Sequence, residues 1–432
     1  MGRCVDIFTM GCSKNLVDSE KLMYQLQQNG FRVFHDPRRI HHDVAVVNTC
    51  GFISDAQEES IEMILSLANL KSKGKLRKLF VMGCLSERFM ADLNKEIPEV
   101  DRYYGKFNWM GIINDLGKEA FADNLANNRI LTTPSHYAYL KISEGCNRSC
   151  AYCAIPLITG KHKSRPIEEI LQEVRLLVSG GVKEFQIVAQ ELTYYGMDLY
   201  GQRKLPELVA RISDIPGVEW IRLHYGYPNS FPYDLLPLMR ERDNVCKYLD
   251  IALQHSSNKM LELMRRNTTR EYQKEMIERI RQEVPGVCLR TTFMVGYPGE
   301  EEADFSDLMQ FTQEMRFDRM GAFAYSEEKG TYAGKHFQDN IPAQVKQSRL
   351  SELMALQQTI SEELCREKIG HTYKTIIDRR EGDYYIGRTQ YDSPEVDGEV
   401  LIPVDDRRLM KGRFYQVRIV DADEFDLRGT LI

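Results

Sequence analysis

The sequence predicts an α/β protein in three parts: an amino-terminal open parallel α/β sheet, a central partial barrel of six strand–helix units, and a small all-β barrel at the carboxyl end. Three observations carry this. Over residues 1–100, apolar runs of strand length alternate with helical periodicities. Over residues 138–330 the same alternation repeats with six candidate strands, two short of a closed eight-stranded barrel. From about Gly370 the helical pattern gives way to short strands and turns.

In the first part, Val5–Met10, Val44–Val47 and Leu79–Met82 read as buried strands. A helix through Ser19–Gln28 carries Leu22, Met23 and Leu26 on one face and stops at Gly30; Ile61, Ile64, Leu65 and Ala68 mark a second. The central strands are Ala138–Ile142, Glu184–Ala189, Trp220–His224, Tyr248–Leu253, Val287–Val295 and Met320–Tyr325, with helices such as Ile167–Val178 and Arg270–Glu283 between them. Pro342–Lys368 reads as one long helix, with Val345, Leu353, Leu356, Ile360 and Leu364 as its apolar stripe and Pro342 in its first turn. The tail strands are Lys374–Ile377, Tyr384–Gly387, Glu399–Val404 and Tyr415–Val420. The expected domains are 1–125, 132–365 and 366–432.

Composition narrows the class. A net charge of −6 over 432 residues disfavours nonspecific nucleic-acid binding by the whole chain. No run approaches the roughly 20 apolar residues that span a bilayer. The start, Met1-Gly2-Arg3-Cys4-Val5, enters a strand pattern directly, so no signal peptide is expected and the expected compartment is the cytoplasm. Thiols stay reduced there, so ten cysteines point to metal rather than to disulfides.

Cys146-Asn-Arg-Ser-Cys150-Ala-Tyr-Cys153 lies directly after the first barrel strand. Cubane iron–sulfur clusters are normally held by four thiolates. Three close thiolates bind three irons and leave the fourth open to chelate the amino and carboxylate groups of S-adenosylmethionine. Electron transfer then cleaves the sulfonium and yields a 5′-deoxyadenosyl radical. Tyr152 is placed to pack against the adenine. A zinc knuckle would want a fourth ligand close by, and His162 is the only nearby histidine.

Cys12, Cys50 and Cys84 each follow the carboxyl end of a predicted parallel strand, although 38 and 34 residues separate them. Those ends share one edge of the sheet, the edge where open α/β sheets bind ligands. The three are therefore expected to converge; three unrelated core cysteines are the alternative. Cys4, Cys246, Cys288 and Cys365 match no motif and read as core packing.

The Cys146–Cys153 motif resembles the radical S-adenosylmethionine superfamily, whose core is a partial, TIM-like (β/α)6 barrel. Gly11-Cys12-Ser13-Lys14-Asn15-Leu16-Val17-Asp18-Ser19-Glu20, Asn48-Thr49-Cys50-Gly51-Phe52-Ile53 and Gly83-Cys84 resemble the amino-terminal domain of methylthiotransferases. Ser143-Glu144-Gly145 and Ala154-Ile155-Pro156 flank the radical motif as in that family, and the tail resembles its OB-like TRAM domain. The resemblance implies two 4Fe-4S clusters, one on Cys146, Cys150 and Cys153 and an auxiliary one with an open iron on Cys12, Cys50 and Cys84. It also implies that methyl transfer from one S-adenosylmethionine precedes radical hydrogen abstraction and sulfur insertion driven by a second.

Further cofactor contacts are expected from Gln190, Gln254 and Arg290, polar residues inside or at the ends of barrel strands. The Gly296-Tyr297-Pro298-Gly299-Glu300 turn either shapes a loop near the nucleoside or is a plain strand-to-helix turn. Lys161-His162-Lys163-Ser164-Arg165 is a basic run in which Lys163 stands where the family often has arginine; a solvated loop is its other reading. His41-His42-Asp43 reads as a surface turn away from the cysteine edge.

Lys14–Glu20, Cys50–Ile53 and Pro394-Glu395-Val396-Asp397-Gly398 resemble the branch that modifies an aspartate β-carbon of small-subunit ribosomal protein S-twelve, rather than the branch that modifies isopentenyl-adenosine in tRNA. From Lys368 onward there are 11 Lys and Arg against 13 Asp and Glu, a net of −2. An acidic tail suits a basic ribosomal protein better than RNA phosphates. The tRNA enzyme remains one alternative, and a non-catalytic metal-binding protein that recognises RNA is another. The implied partners are protein S-twelve, an electron donor such as flavodoxin or ferredoxin, and an unspecified sulfur donor; the chain is expected to be a monomer without membrane attachment.

Overall fold

The computed structural model describes residues 3–119 and 128–432; the expected boundary at residue 125 lies outside them. The first unit is a parallel sheet of β1 (Cys4–Thr9), β2 (Arg32–His35), β3 (Val44–Thr49), β4 (Lys78–Gly83) and β5 (Arg102–Tyr103), in the order β2-β1-β3-β4-β5. Its central strands are mostly apolar because both faces are covered. Val5, Ile7, Val46 and Phe80 pack with Leu22 and Leu26 on one side. Ala45, Val47, Leu79 and Val81 pack with Ile64 and Leu67 on the other. The helix after β1 begins at Ser13, six residues before its apolar stripe becomes legible.

The central unit holds β6 (Tyr137–Lys141), a ribbon of β7 (Ser143–Glu144) with β8 (Lys163–Ser164), then β9 (Glu184–Val188), β10 (Trp220–Gly226), β11 (Val245–Ile251), β12 (Cys288–Val295) and β13 (Arg319–Ala324). Six of these form a parallel sheet, β13-β12-β11-β10-β9-β6, open between β6 and β13. Outward side chains build one apolar core beneath the helices. The amino-terminal unit bridges the gap. Leu16 and Val17 pack on Tyr137 and Tyr139 of β6. On the β13 side Arg88 pairs with Glu328 at 2.8 Å, and Ser54 meets Ser326 at 3.1 Å.

The tail is a closed barrel of β14 (Thr372–Glu381), β15 (Tyr384–Thr389), β16 (Val400–Pro403), β17 (Phe414–Ala422) and β18 (Leu427–Leu431). The helix that leads to it, Ala343–Arg366, buries the predicted Leu353 and Ile360 but not Val345, and it buries polar residues beside them. Val345 is exposed, while Lys346, Arg349 and Gln357 are buried beside Leu353 and Ile360. Each polar member has a partner: Lys346 pairs with Asp339, Arg349 with Glu300, and Gln357 donates to the Phe317 carbonyl.

The segment after β15 fills the amino-end floor of the open barrel. Inward polar residues at that end would otherwise be buried without partners. Tyr137 and Tyr139 donate to Glu395 (2.8 and 2.9 Å), Tyr248 donates to Asp397 (2.8 Å), Arg290 pairs with Asp397 (2.6 Å) and Arg319 with Asp392 (2.6 Å). Arg388 reaches Glu184 at 2.7 Å. Pro394–Gly398 is thus a structural plug. Among the described residues no helix is long and apolar enough to cross a membrane.

Candidate active site

Cys12, Cys50 and Cys84 do converge at the carboxyl edge of the first sheet. Gly11 lies so close to Cys50 that a Cβ there would stand 2.7 Å from the Cys50 sulfur, and Gly51 is pressed as closely against the backbone of Cys84 and Leu85. Both Gly11 and Gly83 adopt positive φ, +84° and +103°, to turn the chain from strand into cysteine. Cys12 caps the helix from Ser13, and Cys84 opens the helix to Glu96. A helix amino terminus favours a thiolate.

Asn15 ties the three strand ends together. Its Nδ2 donates to the carbonyls of Met10 (3.1 Å) and Thr49 (3.0 Å), which fixes its Oδ1 toward Cys84 Sγ (3.6 Å) and Lys106 Nζ (3.5 Å). Burial opposes ionisation of Cys12, but the Lys14 and Lys106 charges with the Asn15 and Lys14 N–H groups prevail and lower its pKa. Burial raises Cys50, and pushes Cys84 to about 12 against the pull of Lys106. Lys106 is itself held by Asp18 at 3.1 Å.

Cys146, Cys150 and Cys153 lie on the loop between β7 and the short helix Ile155–Thr159. The Ala151 backbone anchors that loop, its N–H donating to the Met264 carbonyl (2.9 Å) and its carbonyl accepting from Ala333 N–H (2.7 Å). Arg266 Nη1 contacts Cys150 Sγ (3.2 Å) and the Tyr152 hydroxyl (3.3 Å), and its guanidinium sits over Tyr227. The Arg148 N–H donates to Cys146 Sγ at 3.4 Å. Burial pushes Cys146 to about 11 and Cys153 higher still. A thiol so raised ionises outright only when a metal takes the thiolate. Among the described residues no three His, Cys, Asp or Glu close on a single ion; thiolates on separate irons of a cubane stand further apart than that.

The two trios lie near one another: Cys84 shares a small buried cluster with Ala154, the residue after Cys153, and Ile158. Both trios therefore stand on the side of the central sheet where its strands have their carboxyl ends. Tyr152 lies edge-on to Tyr297 at 6.5 Å. The Gly296–Glu300 turn supports it: Tyr297 is fully buried with Ala151, Met260 and Met264, and Glu300 accepts from the Gly296 N–H. Gln254, with φ +74°, lies three residues beyond β11 and bridges to Phe293 of β12. Gln190 donates to Glu144 at 2.6 Å, and its Oε1 is buried without a partner. Arg290 points elsewhere, into the floor pair with Asp397. The basic run at 161–165 is not a solvated loop: Lys163-Ser164 pairs with Ser143-Glu144, His162 is buried, and Arg165 bonds the Lys141 carbonyl. His41 lies at the far end of the sheet, stacked on Phe34 and bonded to Asp6. Cys246, Cys288 and Cys365 are buried, whereas Cys4 is partly exposed.

Asn15, Lys106 and Arg266 carry much of this geometry without having been anticipated. Asn15 and Lys14 lie inside a recognised motif; Lys106 and Arg266 lie in no motif, and only the fold brings them to the thiols.

Residues 140–312 match the Radical SAM superfamily, residues 4–105 the Uncharacterized protein family UPF0004, and residues 369–432 the TRAM domain. Fold and site thus define a radical S-adenosylmethionine enzyme with an added cysteine-bearing domain and a terminal β-barrel. More particularly, the chain belongs to the family of ribosomal protein uS12 methylthiotransferases. It is 63% identical over 428 residues to the protein named ribosomal protein uS12 methylthiotransferase RimO from Parabacteroides distasonis, covering 99% of each chain. It is 47% identical to the protein of that name from Cytophaga hutchinsonii, over 99% of this chain and 98% of that one. Among solved structures it resembles the radical S-adenosylmethionine methyltransferase TsrM from Kitasatospora setae, with TM-score 0.55, 13% identity and 77% of each chain covered. It also resembles the cobalamin-dependent enzyme OxsB, with TM-score 0.52, 12% identity, and 83% of this chain and 58% of that one covered. At those identities the likeness is one of fold.

Proposed function

We propose that this chain methylthiolates ribosomal protein uS12 at the β-carbon of an aspartate. The observation that carries the reading is the buried cluster of Cys84 with Ala154 and Ile158, which brings the two cysteine trios close together. In this reading Cys146, Cys150 and Cys153 hold one 4Fe-4S cluster, and Cys12, Cys50 and Cys84 hold the other. The donor sets fit: three free thiols each, with the Gln190 Oε1 buried without a partner among the described residues. When bound, the clusters and S-adenosylmethionine would supply a methyl group, sulfur, and a radical able to take hydrogen from an unactivated carbon.

The chain's own residues bind, orient and shield. Arg266 steadies Cys150 and Tyr152. Tyr152, Gln190 and Gln254 are the proposed S-adenosylmethionine contacts, with Arg290 reassigned to the floor. The Arg88–Glu328 pair, with Arg88 4% exposed, closes the amino-terminal unit onto the central one and limits water. We further infer a cytoplasmic monomer that draws electrons from a flavodoxin or ferredoxin and sulfur from a separate donor.

The test is anaerobic reconstitution followed by mass spectrometry of uS12 and of tRNA. A methylthio mass gain on a uS12 aspartate is expected. Gain on tRNA alone, or 5′-deoxyadenosine still formed by Cys146→Ala, overturns the reading.

A further inference from the structure

Beside the first trio lies a buried cation with no carboxylate. Lys14 is 9% exposed, and its Nζ sits 3.7 Å above the centroid of the Tyr225 ring. The neighbouring cations are each committed: Lys106 to Asp18, Lys141 to Asp18 and Glu144, Arg148 to Glu191, and Arg290 to Asp397. Glu144, whose charge Lys14 feels, is bridged by Lys141 and lies 3.8 Å from Lys106. Among the described residues no carboxylate forms an ion pair with Lys14. Lys14 is held by the Tyr225 side chain and the nearby Cys12 thiol, and an ammonium so buried without a carboxylate still has donors for an anion.

The site beneath it is built. Tyr225, the last residue but one of β10, has φ +65°, a conformation unfavourable for a bulky residue, and Asp250 Oδ2 holds it by accepting from the Tyr225 N–H at 3.3 Å. Tyr225 is also 39% exposed although it belongs to the central sheet, so its ring borders open space rather than core. Lys14 is two residues from Cys12 on one side and Tyr225 stands at the carboxyl end of a barrel strand on the other.

Resting on the function proposed above, we propose that Lys14, seated on Tyr225, receives the side-chain carboxylate of the target aspartate and fixes its β-carbon between the two cysteine trios. Lys14 is then the residue that separates aspartate from its amide. A charge-assisted hydrogen bond to a buried carboxylate contributes about ten- to a hundredfold in affinity.

The test uses the reconstituted holoenzyme with S-adenosylmethionine, purified uS12, and uS12 in which the aspartate found by mass spectrometry to be modified is replaced by asparagine. Binding is read by fluorescence anisotropy for wild type, Lys14→Met and Lys14→Arg, beside iron content and cluster electron paramagnetic resonance. Wild type should prefer the aspartate protein by about ten- to a hundredfold. Lys14→Met should bind both alike, and Lys14→Arg, which keeps the charge beside Cys12, should retain iron and cluster spectra with part of the preference. Wild-type discrimination in Lys14→Met overturns the proposal. So does loss of auxiliary iron in both variants, which would assign Lys14 to the cluster. A fully loaded wild type that leaves uS12 unmodified rejects the functional reading instead, whatever Lys14 does.

Discussion

Asn15 Oδ1 lies 3.6 Å from Cys84 Sγ, although the two residues belong to different strand–helix units of the first domain. The contact is enforced, because the amide nitrogen of Asn15 is already spent on the carbonyls of Met10 and Thr49. Asn15→Ala leaves two buried carbonyls short of a donor, a loss of about 1–3 kcal/mol. The expected outcome is selective. Iron content after reconstitution falls toward that of one cluster, while 5′-deoxyadenosine formation persists. Full iron content in Asn15→Ala would remove the residue from this role.

Cys84→Ser should separate the two trios chemically. The variant is expected to retain reductive cleavage of S-adenosylmethionine but to yield no methylthiolated uS12, as read by chromatography of 5′-deoxyadenosine and mass spectrometry of the protein. Methylthio product from Cys84→Ser would show that the auxiliary trio is dispensable.

Arg290 and Asp397 join the central sheet to the terminal barrel, with the Asp397 side chain wholly buried. Removing one partner of such a pair costs about 3–5 kcal/mol. Arg290→Ala should therefore lower the melting temperature by several degrees, since 1 kcal/mol shifts a large domain by about 2–4 °C. An unchanged melting temperature would show the pair to be worth little.

Acid should undo the same junction by a predictable route. Burial works against ionisation of Asp378, yet the Arg388 charge and hydrogen bonds from His136 and Arg388 bring its pKa down to about 2. A carboxylate whose pKa is depressed by folding stabilises the fold fully above its ordinary pKa near 3.8, and that stabilisation is lost as pH falls through about 2. Trp220, buried edge-on to Phe414 of the terminal barrel at 4.8 Å, reports the junction by its fluorescence. The signal should hold from neutral pH to about 4 and change below it, and Arg388→Met should move the change to higher pH.

Most of the architecture was legible because its strands are continuous apolar runs: all six central strands form where the pattern placed them. Strands β2, β5 and β18 were not, being short edge or closing strands with few buried residues. The cysteines were readable from local spacing and from strand ends. Their supports were not, because Arg266 reaches Cys150 across 116 residues and Lys106 reaches Asp18 across 88. The Pro394–Gly398 motif marked the family, but its Glu395 and Asp397 side chains bond residues of the barrel floor. Val345 misled because the long helix faces ion pairs and not only apolar surface.

That floor segment makes the terminal domain an internal component and not a detachable module. Cutting the chain before β14 would strand Tyr137, Tyr139, Tyr248, Arg290 and Arg319 beneath the barrel without their acceptors. A truncated or domain-swapped protein would then fail in expression trials before its chemistry could be assayed. Recognition of a partner by this domain is consequently left to its outer strands, and substitutions meant to retune it belong there.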